Sequence, residues 1–296
     1  MTKNTKLNQT LVKELKNKVV LVTGGAGSVG TAVTKKLLEY PVKQVRIIDI
    51  DEHALFRLNR TMKNKKIRFL LGDISDRERI EMAGDKADIV IHLAAIKNIE
   101  ISEYNPIETI NTNINGTINL IKMVSKNKPK IFLNISTDKA VETSTMYGST
   151  KLLAERLVSW AGIHLNPPTK FASARFGNVM ETRGNVFEVW DNEIKNKEPI
   201  SITDPTMERY FFHVEEAAEF VLECLPLVNN GEIFIPKMKS FKIQSLADKV
   251  SKKQKIIGLR RGEKFREVLM TKEEEKKAVE KKKLWIIKNQ YAETLS

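Results

Sequence analysis

Val19-Val20-Leu21-Val22-Thr23-Gly24-Gly25-Ala26-Gly27-Ser28-Val29-Gly30 is the stretch that decides the fold. Its first four residues are an apolar run that predicts a buried strand, and the pattern from Gly30 to Glu39 predicts a helix. The glycines Gly24, Gly27 and Gly30 lie in the turn between these elements, with the spacing G-x-x-G-x-x-G. Without side chains, the turn leaves backbone N–H groups open to a phosphate, which the start of the helix also attracts. The stretch therefore predicts a phosphate-binding turn between a strand and a helix.

The same alternation of apolar runs and helical patterns continues along the chain. Residues 45–49, 67–71, 89–93 and 130–135 are short apolar runs that predict further strands. Near-continuous apolar strands that alternate with helices are typical of a parallel sheet covered on both faces. The predicted fold class is α/β, a doubly wound Rossmann sheet with a smaller C-terminal lobe. Ligands bind such sheets at the carboxyl ends of the strands.

The chain is expected to form two closely joined lobes. We predict a helical lead-in over residues 1–17, a dinucleotide-binding Rossmann domain over 18–178 and a mainly substrate-binding lobe over 179–296. Prolines break the last segment into short pieces, and part of 200–225 is expected to return to the Rossmann domain.

Composition indicates which classes of binding partner and which cell compartment to expect. No apolar run approaches the ~20 residues of a membrane span, and the polar N-terminus lacks the apolar region of a signal peptide. A single cysteine, Cys224, indicates a reducing compartment, so a soluble, cytoplasmic protein is expected. The net charge is +13, but the lysines are scattered among acidic residues and no nucleic-acid module is recognisable. We expect no nucleic-acid and no membrane partner, and the four histidines lack the ligand spacing of a metal site.

An acidic residue at the end of the second predicted strand favours one cofactor. Asp49 follows the glycines by about 20 residues, where a carboxylate accepts both ribose hydroxyls of a dinucleotide. A carboxylate would repel a 2′-phosphate, and the next residue is Ile50 instead of Arg, so NAD is predicted and NADP is less favoured. The alternative is that Asp49 or Asp51 only caps the helix that starts near Glu52.

Further residues near the strand ends complete the predicted cofactor site. Asp73 follows the third strand and could meet the adenine edge, although capping is an alternative for it as well. The predicted cofactor-binding residues are Gly24, Ala26, Gly27, Ser28, Val29, Gly30, Asp49, Asp73, Ile74, Leu93, Ala94, Ala95, Ser136, Tyr147 and Lys151.

Two neighbouring motifs suggest that protons move as well as hydride. Tyr147 and Lys151 are four residues apart and share one helix face, so the ammonium is expected to lower the pKa of the phenol. Just upstream, Asp138 and Lys139 supply a potential acid and base within one short loop. The alternative for this pair is a solvated loop without a chemical role.

Taken together, these motifs resemble those of a known family. The extended short-chain dehydrogenases/reductases that act on nucleotide sugars share Thr23–Gly30, Gly72-Asp73, His92-Leu93-Ala94-Ala95 and Tyr147-x-x-x-Lys151. A narrower resemblance, to the UDP-N-acetylglucosamine 4,6-dehydratases of the polysaccharide biosynthesis protein family, is carried by Lys97, Glu103-Tyr104-Asn105-Pro106, Thr112-Asn113-Ile114-Asn115-Gly116, Ser136-Thr137-Asp138-Lys139, Arg175-Phe176-Gly177-Asn178-Val179, Thr182-Arg183-Gly184, residues 203–210 and residues 260–264. Tyr147 is typical of the soluble, C5-inverting branch, since the membrane-anchored, retaining branch commonly has Met there.

The resemblance implies an internal redox cycle. C4 of the sugar is oxidised by NAD, the C5 proton and the C6 hydroxyl are lost, and the hydride returns to C6. It implies that Tyr147 takes the C4 hydroxyl proton, Asp138 protonates the leaving hydroxyl and Lys139 is the base at C5. Lys151 would bind the nicotinamide ribose, and Thr137 would be a supporting donor. Inversion at C5 gives UDP-2-acetamido-2,6-dideoxy-L-arabino-hex-4-ulose, a precursor of surface-glycan sugars.

Further expectations concern the protonation of the base and the residues that bind the substrate. A lysine base must be partly neutral, which requires desolvation or a cationic neighbour such as Lys97. Family positions imply substrate binding by Lys97, Asn178, Arg209, Arg260 and Glu263, with surface salt bridging as the alternative for each.

Other functions and an assembly stay open at this stage. A nucleotide-sugar 4-epimerase would share the fold, the tyrosine and the cofactor, and a non-catalytic NAD-binding sensor is an alternative of a different class. The resemblance also implies a homodimer paired through helices beside residues 104–122 and 149–160.

Overall fold

The protein is described by a computed structural model over residues 8–165, 168–260, 262–289 and 291. Its α-helices are α1 Gln9–Leu15, α2 Ser28–Leu38, α3 Glu52–Met62, α4 Arg77–Gly84, α5 Ile99–Tyr104, α6 Pro106–Ile110, α7 Gly116–Asn127, α8 Met146–His164, α9 Val186–Lys195, α10 Val214–Cys224, α11 Ile243–Val250 and α12 Lys272–Lys277. A π-helical turn spans Asn111–Asn115, and short 3₁₀ turns span Asp138–Ala140 and Leu225–Leu227.

The strands are β1 Val19–Thr23, β2 Gln44–Asp49, β3 Ile67–Leu71, β4 Ile89–His92, β5 Ile131–Thr137, β6 Lys170–Phe176, β7 Asn178–Val179, β8 Ile200–Ile202, β9 Glu208–Phe212, β10 Asn230–Pro236, β11 Lys239–Lys242, β12 Gln254–Ile256, β13 Val279–Glu280 and β14 Leu284–Ile287. The large sheet has the order β13-β14-β10-β6-β5-β4-β1-β2-β3. From β3 to β10 all neighbours are parallel, and β14 and β13 close the far edge in antiparallel orientation. The chain order reverses beside β1, which leaves a crevice at the carboxyl ends of β1 and β4.

Both faces of the large sheet are buried. Alternate residues of the central strands point to opposite sides, so Val22 and Ile91 belong to one apolar cluster and Leu21 and Val90 to the other. Helices α2 and α10 pack against each other on the first side, and α4 packs on α7 on the second. The predicted α/β, doubly wound architecture is confirmed, and the double cover explains why the strands are apolar without alternation.

The second lobe has its own small core. Strands β11, β9 and β7 form one small sheet, and β12 pairs with β8. Trp190 on α9 is fully buried among Ile200, Ile202 and Phe211, and its indole N–H donates to the carbonyl of Ser201 at 2.7 Å. This lobe follows directly from the end of β6, so its loops lie over the carboxyl edge of the large sheet.

The segment after residue 179 contributes to both lobes, because α10, β10, β13 and β14 lie with the large sheet. The sequence predicted that only part of residues 200–225 would return to the Rossmann domain. Strands β10, β13 and β14 of the large sheet lie after this range and were not predicted there. The division at residues 178 and 179 stays a prediction, as does the lead-in, which the structure describes only from residue 8. Within the described ranges, no helix combines the length and apolarity that a bilayer crossing requires.

Candidate active site

A cleft of about 950 Å³ opens where the carboxyl ends of β1, β4, β5 and β6 meet the loops of the second lobe. This volume lies at the upper end of the range of small-molecule sites. Nearly all predicted site residues line it, namely Gly24, Gly27, Ser28, Val29, Gly30, Asp49, Asp73, Ile74, Leu93, Ala94, Ala95, Lys97, Ser136, Thr137, Lys139, Tyr147, Lys151, Asn178, Arg209, Arg260 and Glu263. Two do not. Ala26 faces a separate groove, and Asp138 lies behind the cleft wall with no exposed surface.

The glycine-rich turn has the geometry that its sequence predicts. Gly24 has a φ of +65°, and its N–H donates to the carbonyl of Ile48 at 2.9 Å. A Cβ on Gly24 would lie 2.7 Å from the backbone nitrogen of Ala94, and a Cβ on Gly30 would overlap the carbonyl of Gly24. The turn therefore needs glycine at both positions, and it directs the start of α2 into the cleft.

The two acidic strand ends bind their own turns while they line the cleft. The Asp49 carboxylate accepts from the N–H groups of Ala26 at 2.9 Å and Asp51 at 3.1 Å. Asp51, not Asp49, caps α3 by accepting from Ala54 at 2.9 Å. Asp73 accepts from Ser75 N–H at 2.8 Å, and a different aspartate caps α4. Helix capping therefore does not account for Asp49 or Asp73.

Behind the turn, a buried histidine joins β1, β4 and α7. His92 Nδ1 lies 2.7 Å from the Thr23 hydroxyl and Nε2 lies 3.1 Å from the Thr117 hydroxyl. Because Thr117 donates to the carbonyl of Asn113 at 2.7 Å, it accepts from Nε2–H, and Thr23 donates to Nδ1. Burial, with a smaller effect from the Lys151 charge, lowers the pKa of His92 to about 3. The ring is therefore a neutral structural bridge.

The π-helical turn fixes the cleft wall. Asn113 accepts from Ile96 N–H at 2.8 Å, and its amide donates to the Ile96 carbonyl and to the Thr150 hydroxyl, both at 3.0 Å. It thereby ties the segment after β4 to helix α8, which carries Tyr147 and Lys151. Asn113 belongs to the motif Thr112-Asn113-Ile114-Asn115-Gly116, but nothing in that motif indicates this bridging role.

The predicted acid and base form a partly enclosed ion pair. Asp138 Oδ1 accepts from the Thr137 hydroxyl at 2.9 Å and from the Lys139 ammonium at 3.0 Å, whereas Oδ2 is buried without a donor. Lys139, whose side chain is 18% exposed, also reaches the Asn178 amide oxygen at 3.3 Å. The Asn178 amide in turn donates to the Tyr210 carbonyl at 3.1 Å. This enclosed arrangement is not a solvated loop pair.

Two electrostatic expectations are wrong in this structure. Burial raises the pKa of Tyr147, and the positive charge that opposes the rise belongs to Lys139, not Lys151. Burial lowers the pKa of Lys139, but the carboxylates of Asp138 and Glu267 outweigh it, so the net shift is upward. Lys97 does not neutralise this amine; instead, the Lys139 charge is a minor contributor to the lowered pKa of Lys97. Lys139 is therefore protonated in this arrangement.

Lys151 lies beside a second buried charge cluster. Burial lowers its pKa to about 8, and the carboxylate of Glu155, one helical turn away, opposes the shift. Glu155 accepts two hydrogen bonds from Arg175, at 2.7 and 2.9 Å. The same guanidinium donates twice to Glu274, at 2.9 and 3.0 Å, and once to the carbonyl of Leu269 at 3.1 Å. All five N–H donors of Arg175 are used, and this buried cluster joins β6, α8 and α12.

The predicted substrate residues line the cleft but are engaged with protein groups. Arg209 donates to the Phe265 carbonyl at 3.2 Å, and Lys97 donates to the Arg183 carbonyl at 3.0 Å. Arg260 pairs with Glu100 at 3.4 Å, which matches the salt-bridge alternative, and its N–H donates to Glu263 at 2.9 Å.

No role was predicted for Arg183 or Glu267, two charged residues that line the cleft. Arg183 reaches back from the second lobe, donating to the Ala26 carbonyl at 2.9 Å and pairing with Asp51 at 3.2 Å, and its N–H donates to Ser28 at 3.2 Å. Glu267 is only 5% exposed, and its Oε2 has no donor. Arg183 lies in a quoted motif without an assigned role, and no local pattern distinguishes Glu267. Among the described residues, no three His, Cys, Asp or Glu side chains are grouped to hold a metal.

Relatives of the chain include a dehydratase and an epimerase. It is 40% identical over 273 residues to an uncharacterized membrane protein of Methanocaldococcus jannaschii, covering 88% of this chain and 82% of that one. It is 38% identical to the UDP-N-acetylglucosamine 4,6-dehydratase (inverting) of Campylobacter jejuni, covering 87% and 78%. A UDP-glucose 4-epimerase of Rickettsia bellii is 35% identical, with 88% and 80% covered.

Solved structures share the fold. The crystal structure of Pen from Bacillus thuringiensis superimposes with a TM-score of 0.91 at 36% identity, covering 94% of this chain and 90% of that one. A dTDP-glucose 4,6-dehydratase of Streptomyces venezuelae, solved with NAD, superimposes with a TM-score of 0.77 at 18% identity, covering 87% and 90%. The family model described as polysaccharide biosynthesis protein matches residues 20–289. The chain therefore belongs to the polysaccharide biosynthesis protein family, among the nucleotide-sugar dehydratases and epimerases of the short-chain dehydrogenase/reductase fold.

Proposed function

We propose that the protein is an NAD-dependent UDP-N-acetylglucosamine 4,6-dehydratase that inverts C5. The observation that carries the proposal is the enclosed Asp138–Lys139 pair, with its 3.0 Å contact, in which Lys139 lines the cleft together with Tyr147 and Asp138 lies directly behind it. Oxidation and reduction at C4 alone require a tyrosine and a hydride carrier. Loss of water requires an acid and a base in addition, and this pair supplies both.

The cleft suits NAD. The glycine turn leaves backbone N–H groups open to a pyrophosphate, and the start of α2 attracts its charge. Asp49 would take the adenosine ribose hydroxyls, and the apolar neighbour Ile50, also in the cleft wall, offers nothing to a 2′-phosphate. Lys151 would bind the nicotinamide ribose. NAD bound there would supply the acceptor for the C4 hydride and the donor for its return to C6.

The protein's own groups handle the protons. In its ionised form, Tyr147 takes the proton of the C4 hydroxyl as C4 is oxidised. Across their 3.0 Å contact, the ion pair of Asp138 and Lys139 can convert to a carboxylic acid and a neutral amine. The amine then takes the C5 proton and the acid protonates the C6 hydroxyl, which leaves as water. One proton shared by the pair thus serves both ends of the elimination, and the pair returns to its ionic form. Addition of hydride at C6 leaves an enolate, and C5 then takes a solvent-exchangeable proton on the opposite face, which inverts that centre.

The test is turnover of UDP-N-acetylglucosamine in deuterated water, read by mass spectrometry and NMR. We expect a product that has lost one water, carries deuterium at C5 and has the inverted configuration. Lys139→Ala should abolish deuterium incorporation, whereas the exposed α12 variant Lys276→Ala should not change it. A product of unchanged mass would instead establish the 4-epimerase, the alternative that the Rickettsia relative favours. No reaction with any UDP-hexosamine would favour the NAD-binding sensor.

A homodimer is also proposed. Tyr104 and Ile107 on α5 and α6 are 91% and 77% exposed, and Leu153 and Trp160 on α8 are 47% and 40% exposed. These side chains lie on the helices expected to pair subunits, and burying them would be favourable. Light scattering should give twice the chain mass, and Ile107→Glu should shift it toward the monomer. The cytoplasmic location and the absence of nucleic-acid and membrane partners stay predictions.

A further inference from the structure

Glu267 is a buried carboxylate that faces the active-site cleft without a hydrogen-bond donor for one of its oxygens. It is 5% exposed, and its Oε2 is enclosed without a donor. The Lys264 ammonium lies 3.9 Å from that oxygen and donates to the Val141 carbonyl at 2.7 Å. An unsatisfied buried carboxylate is costly, so its presence in a cleft calls for a functional explanation.

The backbone holds this carboxylate in place. The residues just before it are attached to β9, because Glu208 N–H donates to the Phe265 carbonyl at 2.9 Å and a β-bridge joins Glu208 to Arg266. Glu267 and Lys139 both line the cleft. Lys264, which lies 3.9 Å from the Glu267 carboxylate and donates to the Val141 carbonyl at the end of the Asp138–Ala140 turn, ties this carboxylate to the turn that carries the proton-transfer pair.

The charges around Lys139 come from several elements. Asp138 contacts it from the same 3₁₀ turn, and the charges of Glu267, before α12, and Tyr147, on α8, act on it at longer range. The nearby cationic side chains are Lys97, after β4, and Lys264, beside Glu267. Burial lowers the pKa of Lys139, and the charges of Asp138 and Glu267 together reverse that effect.

The elimination depends on these charges, because the Asp138–Lys139 pair must carry one proton when water is lost. If the pair loses that proton, Asp138 is no longer an acid and water cannot leave. We propose that Glu267 is a positioning residue whose negative charge keeps the shared proton on the Asp138–Lys139 pair. The inference rests on the proposed dehydratase function, which assigns that proton its role.

The first test is the pH dependence of turnover. Loss of the shared proton sets the alkaline limb of kcat, so Glu267→Gln should move that limb to lower pH by about one unit, a typical effect of one nearby charge. Glu267→Asp keeps the negative charge and should return the alkaline limb most of the way to its wild-type pH. Glu273→Gln, an exposed α12 control, should leave the pH profile unchanged. A purely structural role for Glu267 would lower activity equally at all pH values. An unchanged alkaline limb in Glu267→Gln would overturn the inference.

The second test needs no substrate. Acetic anhydride modifies only neutral amines, so the yield of acetyl-Lys139 against pH, measured by peptide mass spectrometry, reports its protonation directly. The half-maximal pH should be lower in Glu267→Gln than in the wild type and in Glu273→Gln, with matched thermal unfolding confirming the fold. Equal midpoints would refute the inference even if the wild type dehydrates its substrate. A lowered midpoint in an enzyme that releases no water would support the charge coupling and reject the proposed function.

Discussion

Two buried charge clusters lie beside helix α8, and they differ in how completely their polar atoms are satisfied. In the Arg175 cluster every guanidinium donor has an acceptor on Glu155, Glu274 or Leu269. In the Asp138 cluster, one carboxylate oxygen of Asp138 and one of Glu267 have no donor. Satisfied buried charges contribute rigidity, whereas free lone pairs at a cleft are available to a ligand or a proton. The first cluster should therefore serve stability and the second chemistry.

The largest effect should come from Asp138→Asn. Removing the acid should lower kcat by about 10²- to 10⁴-fold, the usual contribution of a general acid. The free energy of unfolding should change far less, because the Lys139 amine keeps its contact with Asn178 and borders the open cleft. Steady-state kinetics and urea unfolding on the same preparation measure both. If the free energy of unfolding fell in proportion to activity, the Asp138 cluster would also stabilise the fold, and the two clusters would not differ in role.

Arg175→Met should show the opposite profile. It leaves Glu155 buried without its partner, which should cost about 3–5 kcal/mol of unfolding free energy. Chemical denaturation measures this directly. Arg156→Met, at the exposed position next to Glu155, is the matched control and should be nearly neutral. A well-folded Arg175→Met protein of normal stability would contradict a stabilising role for the cluster.

Lys151, one helical turn from Glu155 of the Arg175 cluster, should give a pH-dependent stability. Its pKa is lowered from 10.5 to about 8, so between these values the unfolded chain binds more protons than the folded one. The stability of the wild type relative to Lys151→Met should therefore rise as pH increases from about 8 to 10.5, by at most about 3 kcal/mol. Thermal or urea unfolding at several pH values tests it. A difference that is constant across this window would show that the amine is not desolvated.

The smallest effect is expected outside both clusters, at Arg183. Its ion pair with Asp51 is half exposed, with side-chain exposures of 54% and 38%, so Arg183→Ala should change stability by less than about 1 kcal/mol. NAD affinity should fall only a few-fold, because the loop loses its attachment to the glycine turn. Calorimetric titration of NAD measures this, with Arg57→Ala as a control on the neighbouring helix. A large loss of stability would show that Arg183 stabilises the fold to the extent expected for Arg175.

Local patterns predicted those parts of the fold that local physics determines. The glycine turn and the apolar strands could be identified because sterics and burial act on consecutive residues. The cleft residues at strand ends could be predicted because a parallel sheet brings those ends together. Charge environments could not be predicted in this way. The upward shift of Lys139 depends on Glu267, and the role of Arg175 depends on Glu274, both contributed by distant segments. The addition of β10, β13 and β14 to the large sheet likewise depends on tertiary packing, which short strands do not signal.

The Arg175–Glu274 contact has a consequence for how the chain matures. The two residues are 99 positions apart, so on a ribosome the guanidinium emerges roughly 5 to 20 seconds before its second carboxylate at typical elongation rates. Strand β10, which pairs with β6, is translated in the same interval, and β14 follows after Glu274. A nascent chain stalled near residue 178 would expose the unpaired edge of β6, so acquisition of the native state must await the last quarter of translation.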